Sequence, residues 1–316
     1  MVSSKLSILS ALALLSAATA VQAWTLQNTY QGSNFFDQFD FFTDSDPTHG
    51  FVQYVDRATA TSKKYVSVQN NQAVIKPDTT STTTTGRQSV RLVSKTSYNA
   101  NGLYILDAEH MPVGCGTWPA YWMVGPNWPN SGEIDIIEGV NNQAQNQVTL
   151  HTSSGCTMEG VSRWQSGGVL TPNCDVNAPG QGANVGCGVL APNADSYGTG
   201  FNNNKGGVYA TQLTTSSGIQ VWFWPRSQVP GDISSGNPDP RNWGQPLATY
   251  PFQSGKCSAN KFSNLQFVIN LTFCGDWAGS VYASSGCPSS CNAYVGQNPG
   301  AFNEAYWRIN YLKTYN

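Results

Sequence analysis

Hydrophobic and polar residues alternate with a period of two along most of the chain, the spacing that puts every second side chain on one face of a β-strand. The clearest run is 304–315, where Ala305, Trp307, Ile309 and Tyr311 alternate with Tyr306, Arg308, Asn310 and Leu312. The same pattern, rich in β-branched and aromatic residues, predicts strands at 50–56, 72–76, 89–94, 102–109, 120–124, 133–138, 147–152, 207–213, 218–224 and 264–273. No stretch carries an apolar stripe at helical period, and no internal repeat is present. Many short strands between Gly, Pro and Asn turns predict an all-β domain, a sandwich or barrel, occupying 24–316 as one unit. Two stretches rich in Gly, Pro and Asn, 155–205 and 225–256, are expected to be loops bordering a cleft, not linkers. The threonine run 79–85 predicts a surface loop open to O-glycosylation.

Composition narrows the ligand class. Charged residues are 11% of the chain, against about 25% in an average soluble domain. Aromatic residues are 12%, ten of them tryptophan, and the net charge is −2. Such a chain has no basic field for nucleic acid or anionic lipid. A surface of aromatic rings, amides and hydroxyls suits a neutral, hydroxylated ligand, although it also suits a secreted domain kept soluble by amides and glycans. Residues 1–23 carry Lys5, an apolar stretch from Leu6 to Ala18 and small residues at Ala20 and Ala23. That is the pattern of a secretory signal peptide, cleaved after 20 or after 23 and too short to span a membrane. A soluble, secreted, monomeric product is expected. In an exported chain the eight cysteines should form four disulfides. Cys287 and Cys291 could form one local bridge or belong to two. Asn270-Leu-Thr272 is an N-glycosylation sequon inside a predicted strand.

The chemistry concentrates in Asn130-Ser-Gly-Glu-Ile-Asp-Ile-Ile-Glu-Gly139. On a strand Glu133 and Asp135 share one face while Ile134 and Ile136 take the other. Strict alternation would then bury Glu138 unpaired, at high cost, and expose Ile137. A β-bulge at Ile136-Ile137 returns Glu138 to the acidic face. Three acids on one wall raise one another's proton affinity, which a fold tolerates mainly where chemistry or a metal uses them. A solvated edge strand and an oxygen-ligand calcium site share this spacing. A pair of carboxylates about 5–5.5 Å apart is what a retaining glycosidase needs. On the next strand His151 should face opposite to Val148, Leu150 and Thr152.

Around this stretch stand Gly114-Cys-Gly-Thr-Trp-Pro-Ala-Tyr-Trp122, Trp128-Pro-Asn130, Leu150-His-Thr152, Asp46-Pro-Thr-His-Gly50, Gly86-Arg-Gln-Ser-Val-Arg91, His110-Met-Pro112 and Asn270-Leu-Thr-Phe-Cys-Gly-Asp-Trp277. With these segments in this order the chain resembles glycoside hydrolase family sixteen, and within it the secreted fungal laminarinases, over nearly its whole length. The resemblance implies a two-sheet β-jelly-roll sandwich with a concave substrate cleft and retaining endo-hydrolysis of β-1,3-glucan, with 1,4 bonds beside 1,3 links as a further target. It implies Glu133 as nucleophile, Glu138 as acid/base and Asp135 as the assisting carboxylate. It also implies Trp122, Trp128 and Trp277 as cleft tryptophans, Arg91 as a contact to sugar hydroxyls, and His151 in the cleft near the acid/base. Trp128, in the loop before the acidic strand, is the strongest stacking candidate; Trp118, Trp222 and Trp224 are expected in the core, and Arg87 is equally readable as a turn residue. Residues 123–127 depart from the longer polar segment of close relatives. No cofactor is required by this chemistry, and no D-x-D-x-D-G loop marks the structural calcium that the convex face of the fold could carry. A cell-wall transglycosylase would use the same residues, whereas a non-catalytic β-glucan-binding protein would have lost the glutamates.

Overall fold

A computed structural model describes residues 24–316; the leader assigned to 1–23 lies outside the described residues. Two eight-stranded antiparallel sheets make up the domain. The first runs Ala248–Tyr250, Gly218–Pro225, Gly207–Thr214, Gly102–His110, Trp307–Tyr315, Gln72–Ile75, Val66–Gln69, with Leu26–Tyr30 also pairing with Trp307–Tyr315. The second runs Gly168–Val169, Cys187–Leu190, Gln147–His151, Glu133–Glu138, Thr117–Val124, Leu265–Phe273, Arg91–Tyr98, Phe39–Phe41. Tyr104, Leu106, Tyr209, Ile309 and Leu312 from the first sheet form one core with Leu92, Tyr121, Met123, Ile134, Leu150 and Phe267 from the second. The sandwich expected from the alternation is therefore present, and the strand carrying the acids lies in the interior of its sheet.

Several boundaries differ from expectation. Of 50–56 only Val52–Tyr54 is a strand, and it pairs in parallel with Arg87–Ser89, apart from both large sheets. The stretch 155–205 contains two strands, Gly168–Val169 and Cys187–Leu190, and 225–256 contains Ala248–Tyr250. These short segments carry too few alternating residues to be visible alone and acquire strand geometry by pairing with a sheet edge. Part of the stretch 225–256 lies away from the acids: Ile233 and Trp243 cover the outer face of the first sheet, against Leu103, Ile105, Val208, Ala210 and Trp222. Four α-helices are present among the described residues, Arg57–Ser62, Gly198–Asn203, Gly231–Ser234 and Cys291–Gln297, beside several single-turn 3-10 segments. Each is too short to show a helical stripe in sequence.

Four disulfides join Cys115–Cys287, Cys156–Cys257, Cys174–Cys187 and Cys274–Cys291, so Cys287 and Cys291 belong to separate bridges. The first two close loops of 172 and 101 residues by sequence separation, where a crosslink restricts the unfolded chain most. Arg87 is no turn residue. Its guanidinium is 1% exposed and donates to the carbonyls of Asp78, Ser81 and Val295, tying the threonine-rich surface loop to the helix Cys291–Gln297. The sequon is buried too: Asn270 is 5% exposed on a strand with neighbours on both sides, which leaves no room for a glycan.

Candidate active site

The acidic strand begins at Gly132, whose backbone sits at φ +74 with a carbonyl oxygen, that of Lys261, only 2.5 Å from where a Cβ would stand. Only a residue without a side chain can enter the strand so close to that loop. Cross-strand pairing then lines up the outward face of the second sheet in rows. His151, Glu133, Val124 and Gln266 form one row; Thr149, Asp135, Trp122 and Val268 the next; Gln147, Glu138, Ala120, Asn270 and Arg91 the third. All three acids thus share one face with His151, Trp122 and Arg91.

The third acid reaches that face through the expected bulge. Pairing with Thr117–Val124 passes from Asp135↔Trp122 to Ile137↔Tyr121, so Ile136 has no partner there. Pairing with Gln147–His151 jumps from Asp135↔Thr149 to Glu138↔Gln147. Ile136 and Ile137 both turn into the core, each with no exposure, and Glu138 emerges beside Asp135. A bulge strips backbone groups of their ladder partners, and each buried orphan costs about 1–3 kcal/mol. Here one side chain takes two of them: Asn146 Oδ1 accepts from the Glu138 N–H at 2.9 Å, and Asn146 Nδ2 donates to the Ile136 carbonyl at 2.8 Å.

Electrostatics set the protonation. Burial first, then the Asp135 charge, pushes Glu133 up to about 8, while His151 and a hydrogen bond from Trp128 act in the opposite direction. Burial and the Glu138 charge hold Asp135 well above the usual carboxylate range. Burial raises Glu138 as well, against a hydrogen bond from Trp118, whose Nε1 donates to Glu138 Oε1 at 2.9 Å. The trio therefore retains protons where isolated carboxylates would have lost them, and titrates as a set.

The sequence-derived residues fall around these acids as follows. His151 lies directly across from Glu133, its Nε2 3.3 Å from Asp135 Oδ2, and its charge is also felt by Glu138. The antiparallel register puts Gln147 opposite Glu138. Trp122 is half-buried and donates from Nε1 to Asn270 Oδ1 at 2.8 Å. Arg91 is 9% exposed, with its guanidinium carbon 5.0 Å from the Trp122 ring and 4.5 Å from the Phe42 ring. Its Nε is buried and has no hydrogen-bond partner among the described residues. Trp128 is 43% exposed beside Glu133. Trp277 meets the Trp118 ring edge-on with centroids 5.7 Å apart. In the divergent segment 123–127, Met123 packs in the core, while Pro126 and Asn127 reach solvent.

Trp118 is the main correction. It was expected in the core, but Thr117–Val124 begins three residues earlier than the predicted strand, and Trp118 and Trp122 occupy the same face. The period-two spacing of 118, 120 and 122 contained that information. Trp222, by contrast, is buried at 3% against Trp243 on the far side of the first sheet, where Trp224 also packs. Asn146 and Gly186 have no motif that would mark them, and Asn270 stands in a sequon and a family segment that do not point to its bond with Trp122. Gly186 sits at φ +65 beside the Cys174–Cys187 bridge, where a Cβ would lie 2.9 Å from His151 Nδ1 and 2.5 Å from the Leu150 carbonyl oxygen. Chemically the site offers three clustered carboxyl groups of raised proton affinity and flat aromatic rings on one face. Glu133, Asp135 and His151 also bring one potential ligand atom each within 4.8 Å of the others, the set that a small cation would use.

Comparison with known proteins gives the same picture. An endo-1,3(4)-β-glucanase of Arthroderma benhamiae is 46% identical over 92% of this chain and 64% of its own length; other curated relatives are spanned over as little as 40%. The GH16 laminarinase 16A of Phanerochaete chrysosporium, solved with the β-glucan 6-O-glucosyl-laminaritriose in donor and acceptor sites, is 45% identical with a TM-score of 0.88, covering 93% of this chain and 100% of that one. An elongating GH family 16 β-1,3-glucosyltransferase is 43% identical with a TM-score of 0.86, over 93% of this chain and 100% of that one. The XgeA-like catalytic GH16 domain matches residues 39–315, and with the two-sheet jelly roll and its row of acids in place, the chain belongs to glycoside hydrolase family 16.

Proposed function

We propose that this domain is a secreted, retaining endo-β-1,3-glucanase of laminarin-type glucans that also accepts mixed 1,3/1,4-linked chains. The observation that carries this is the bulge-corrected row Glu133, Asp135, Glu138, flanked by Trp118 and Trp122 and faced by His151. Glu138, kept protonated by burial, delivers its proton to the glycosidic oxygen as the bond to C1 breaks. Glu133 attacks C1 from the other face of the ring and forms a glycosyl ester. For that it must be ionised, and Asp135 makes this possible. Buried between the two glutamates and held near His151, Asp135 carries the proton and directs it at the Glu133 carboxylate. Glu138, now a carboxylate, takes a proton from water as its oxygen attacks C1; the C1–O bond to Glu133 breaks, Glu133 leaves as a carboxylate, and the original configuration is restored. Trp122 and the exposed Trp128 present apolar faces to the C–H faces of glucose units, and Arg91, its guanidinium over the Trp122 ring, offers N–H donors to a sugar hydroxyl. Four disulfides fit export to an oxidising compartment.

A second reading has a specific observation in its favour. The 43% identical neighbour is an elongating glucosyltransferase, and transfer differs from hydrolysis only in which hydroxyl attacks the ester. Incubation with laminarin, lichenan and carboxymethylcellulose, with products separated by size over time, tests both. Shortening oligomers from laminarin and lichenan are expected. Products longer than the donor would move the assignment to transfer, and no product from any of the three would overturn it.

A further inference from the structure

We infer that Asn146 is a positioning residue for the proton donor: by clamping the bulge it fixes where Glu138 stands, although it does not touch the reacting atoms. This rests on the glycosidase reading above. The bulge is what makes the inference necessary. Between Asp135 and Glu138 the regular ladder with Gln147–His151 lapses, so on that side the segment that sets the Glu138 backbone lacks its ordinary partners, while pairing with Thr117–Val124 resumes at Ile137. Asn146 supplies both replacements, one to Ile136 O and one to Glu138 N. The two bonds need opposite chemistry, an acceptor toward the N–H and a donor toward the carbonyl; a primary amide supplies them from two separate atoms, an ionised carboxylate has no donor, and a hydroxyl has both only on a single oxygen.

The amide is itself held. Asn146 has no solvent exposure. Its backbone N–H donates to Ser196 Oγ at 3.0 Å, and its carbonyl accepts from Ala191 N at 2.8 Å. Ser196 is fixed in turn by its hydroxyl, which donates to the Asn193 carbonyl at 2.6 Å, and by its carbonyl, which accepts from Tyr209 OH. A chain of contacts thus runs from the first sheet, through the 193–196 turn, to the acid/base. On its far side Glu138 meets the Trp118 indole. The carboxyl is located by Trp118 and its backbone by Asn146.

Protonation of the leaving oxygen matters for a sugar leaving group and little for an activated phenol. Misplacing Glu138 should therefore slow one and spare the other. For Asn146→Ala, kcat on laminarin should fall by about 10²-fold, the scale of a 1 Å misplacement, with KM little changed. The rate of ester formation from a dinitrophenyl β-1,3-gluco-oligomer should fall less than about 10-fold, since that step does not use the displaced proton. Asn146→Asp should behave alike, because it turns an oxygen toward the Ile136 carbonyl. A purely structural Asn146 would lower both substrates in parallel, and that result, or wild-type rates on both, overturns the inference. A background lacking Ile137 covers the case in which Asn146→Ala fails to fold. There the strand alternates regularly and has no bulge to clamp, so adding Asn146→Ala should change neither folding nor leaving-group dependence. If it still unfolds the shortened chain, Asn146 serves the fold and not Glu138. The Glu138→Ala enzyme, assayed beside these, separates the two levels: equal loss on both substrates there would refute the acid/base assignment itself.

Discussion

Replacing Trp118 by Phe should move the pH dependence of the enzyme in a direction the geometry dictates. The Trp118 Nε1–H reaches Glu138 Oε1 at 2.9 Å. A donor aimed at a carboxylate favours the ionised form, so this bond lowers Glu138 against the upward push of burial. Phenylalanine keeps an aromatic ring for the edge-on contact with Trp277 but has no N–H. A hydrogen bond to a charged group is worth about 1.5–3 kcal/mol, and a tenfold change in a proton equilibrium is about 1.4 kcal/mol. Glu138 must be protonated for ester formation, and activity falls as pH rises through its titration. In Trp118→Phe the alkaline limb of kcat/KM on laminarin should therefore move upward by about 1–2 pH. Hydrolysis of the ester uses Glu138 as a base, so where that step limits kcat its acid limb should move upward as well. The assay is a pH series of initial rates for both enzymes at constant ionic strength. An alkaline limb that stays in place, or moves downward, would refute the argument that the indole tunes the proton donor.

Other expectations follow from the same site. Burial raises Glu133 from 4.5 to about 8, so the folded state binds a proton more tightly than the unfolded chain and loses stability as pH climbs across that window. Glu133→Gln removes the penalty and should melt higher than the parent, with a gain absent below about 4.5 and on the order of 1–3 kcal/mol by pH 7; a gain that does not grow with pH would contradict the burial argument. Gly186→Ala puts a methyl group against His151 and the Leu150 carbonyl at a positive φ, and thermal unfolding should show a loss of about 1–3 kcal/mol together with a lower kcat/KM. Inserting an isoleucine after Ile137 turns one glutamate into the core, and activity with circular dichroism should find the variant inactive or unfolded, whereas removal of Ile137 keeps weak activity. Proton NMR of the first product from a β-glucan should show the β-anomer; initial α-anomer would exclude the retaining mechanism.

The acids were legible because their positions conflict with simple alternation. Glu138 cannot be buried alone, and that conflict places the bulge. The core strands were legible for a related reason, since Phe267, Ile269 and Leu271 repeat every second residue and all are buried. What escaped depends on pairing rather than pattern. Cys187–Leu190 is a strand because it lies along Gln147–His151, and nothing in Cys-Gly-Val-Leu announces it. Asn146 is ordinary in sequence, since its role depends on a ladder that lapses on the neighbouring strand. Trp118 was lost to a boundary error of three residues, which hid that it shares a face with Trp122.

The buried sequon has a consequence for the life of the chain before it folds. An Asn-X-Thr tripeptide is read on an extended polypeptide, at a moment when Asn270 is as accessible as any other residue. A sugar on Asn270 Nδ2 would have to occupy the buried space where that nitrogen meets the Tyr54 hydroxyl, so a chain that accepts one cannot seat this side chain against Tyr54 and Trp122 as the strand closes. Nor is the tripeptide free to change at its other end, for Thr272 Oγ1 donates to Asp46 Oδ2 at 2.6 Å. Closure of the sheet thus competes in time with modification, and each molecule that loses becomes material for quality control. In a secretory pathway with N-glycosylation the yield of active enzyme should follow the speed at which Leu265–Phe273 is captured. An oxidising compartment without that machinery, such as a bacterial periplasm, removes the competition while still allowing the four bridges to form.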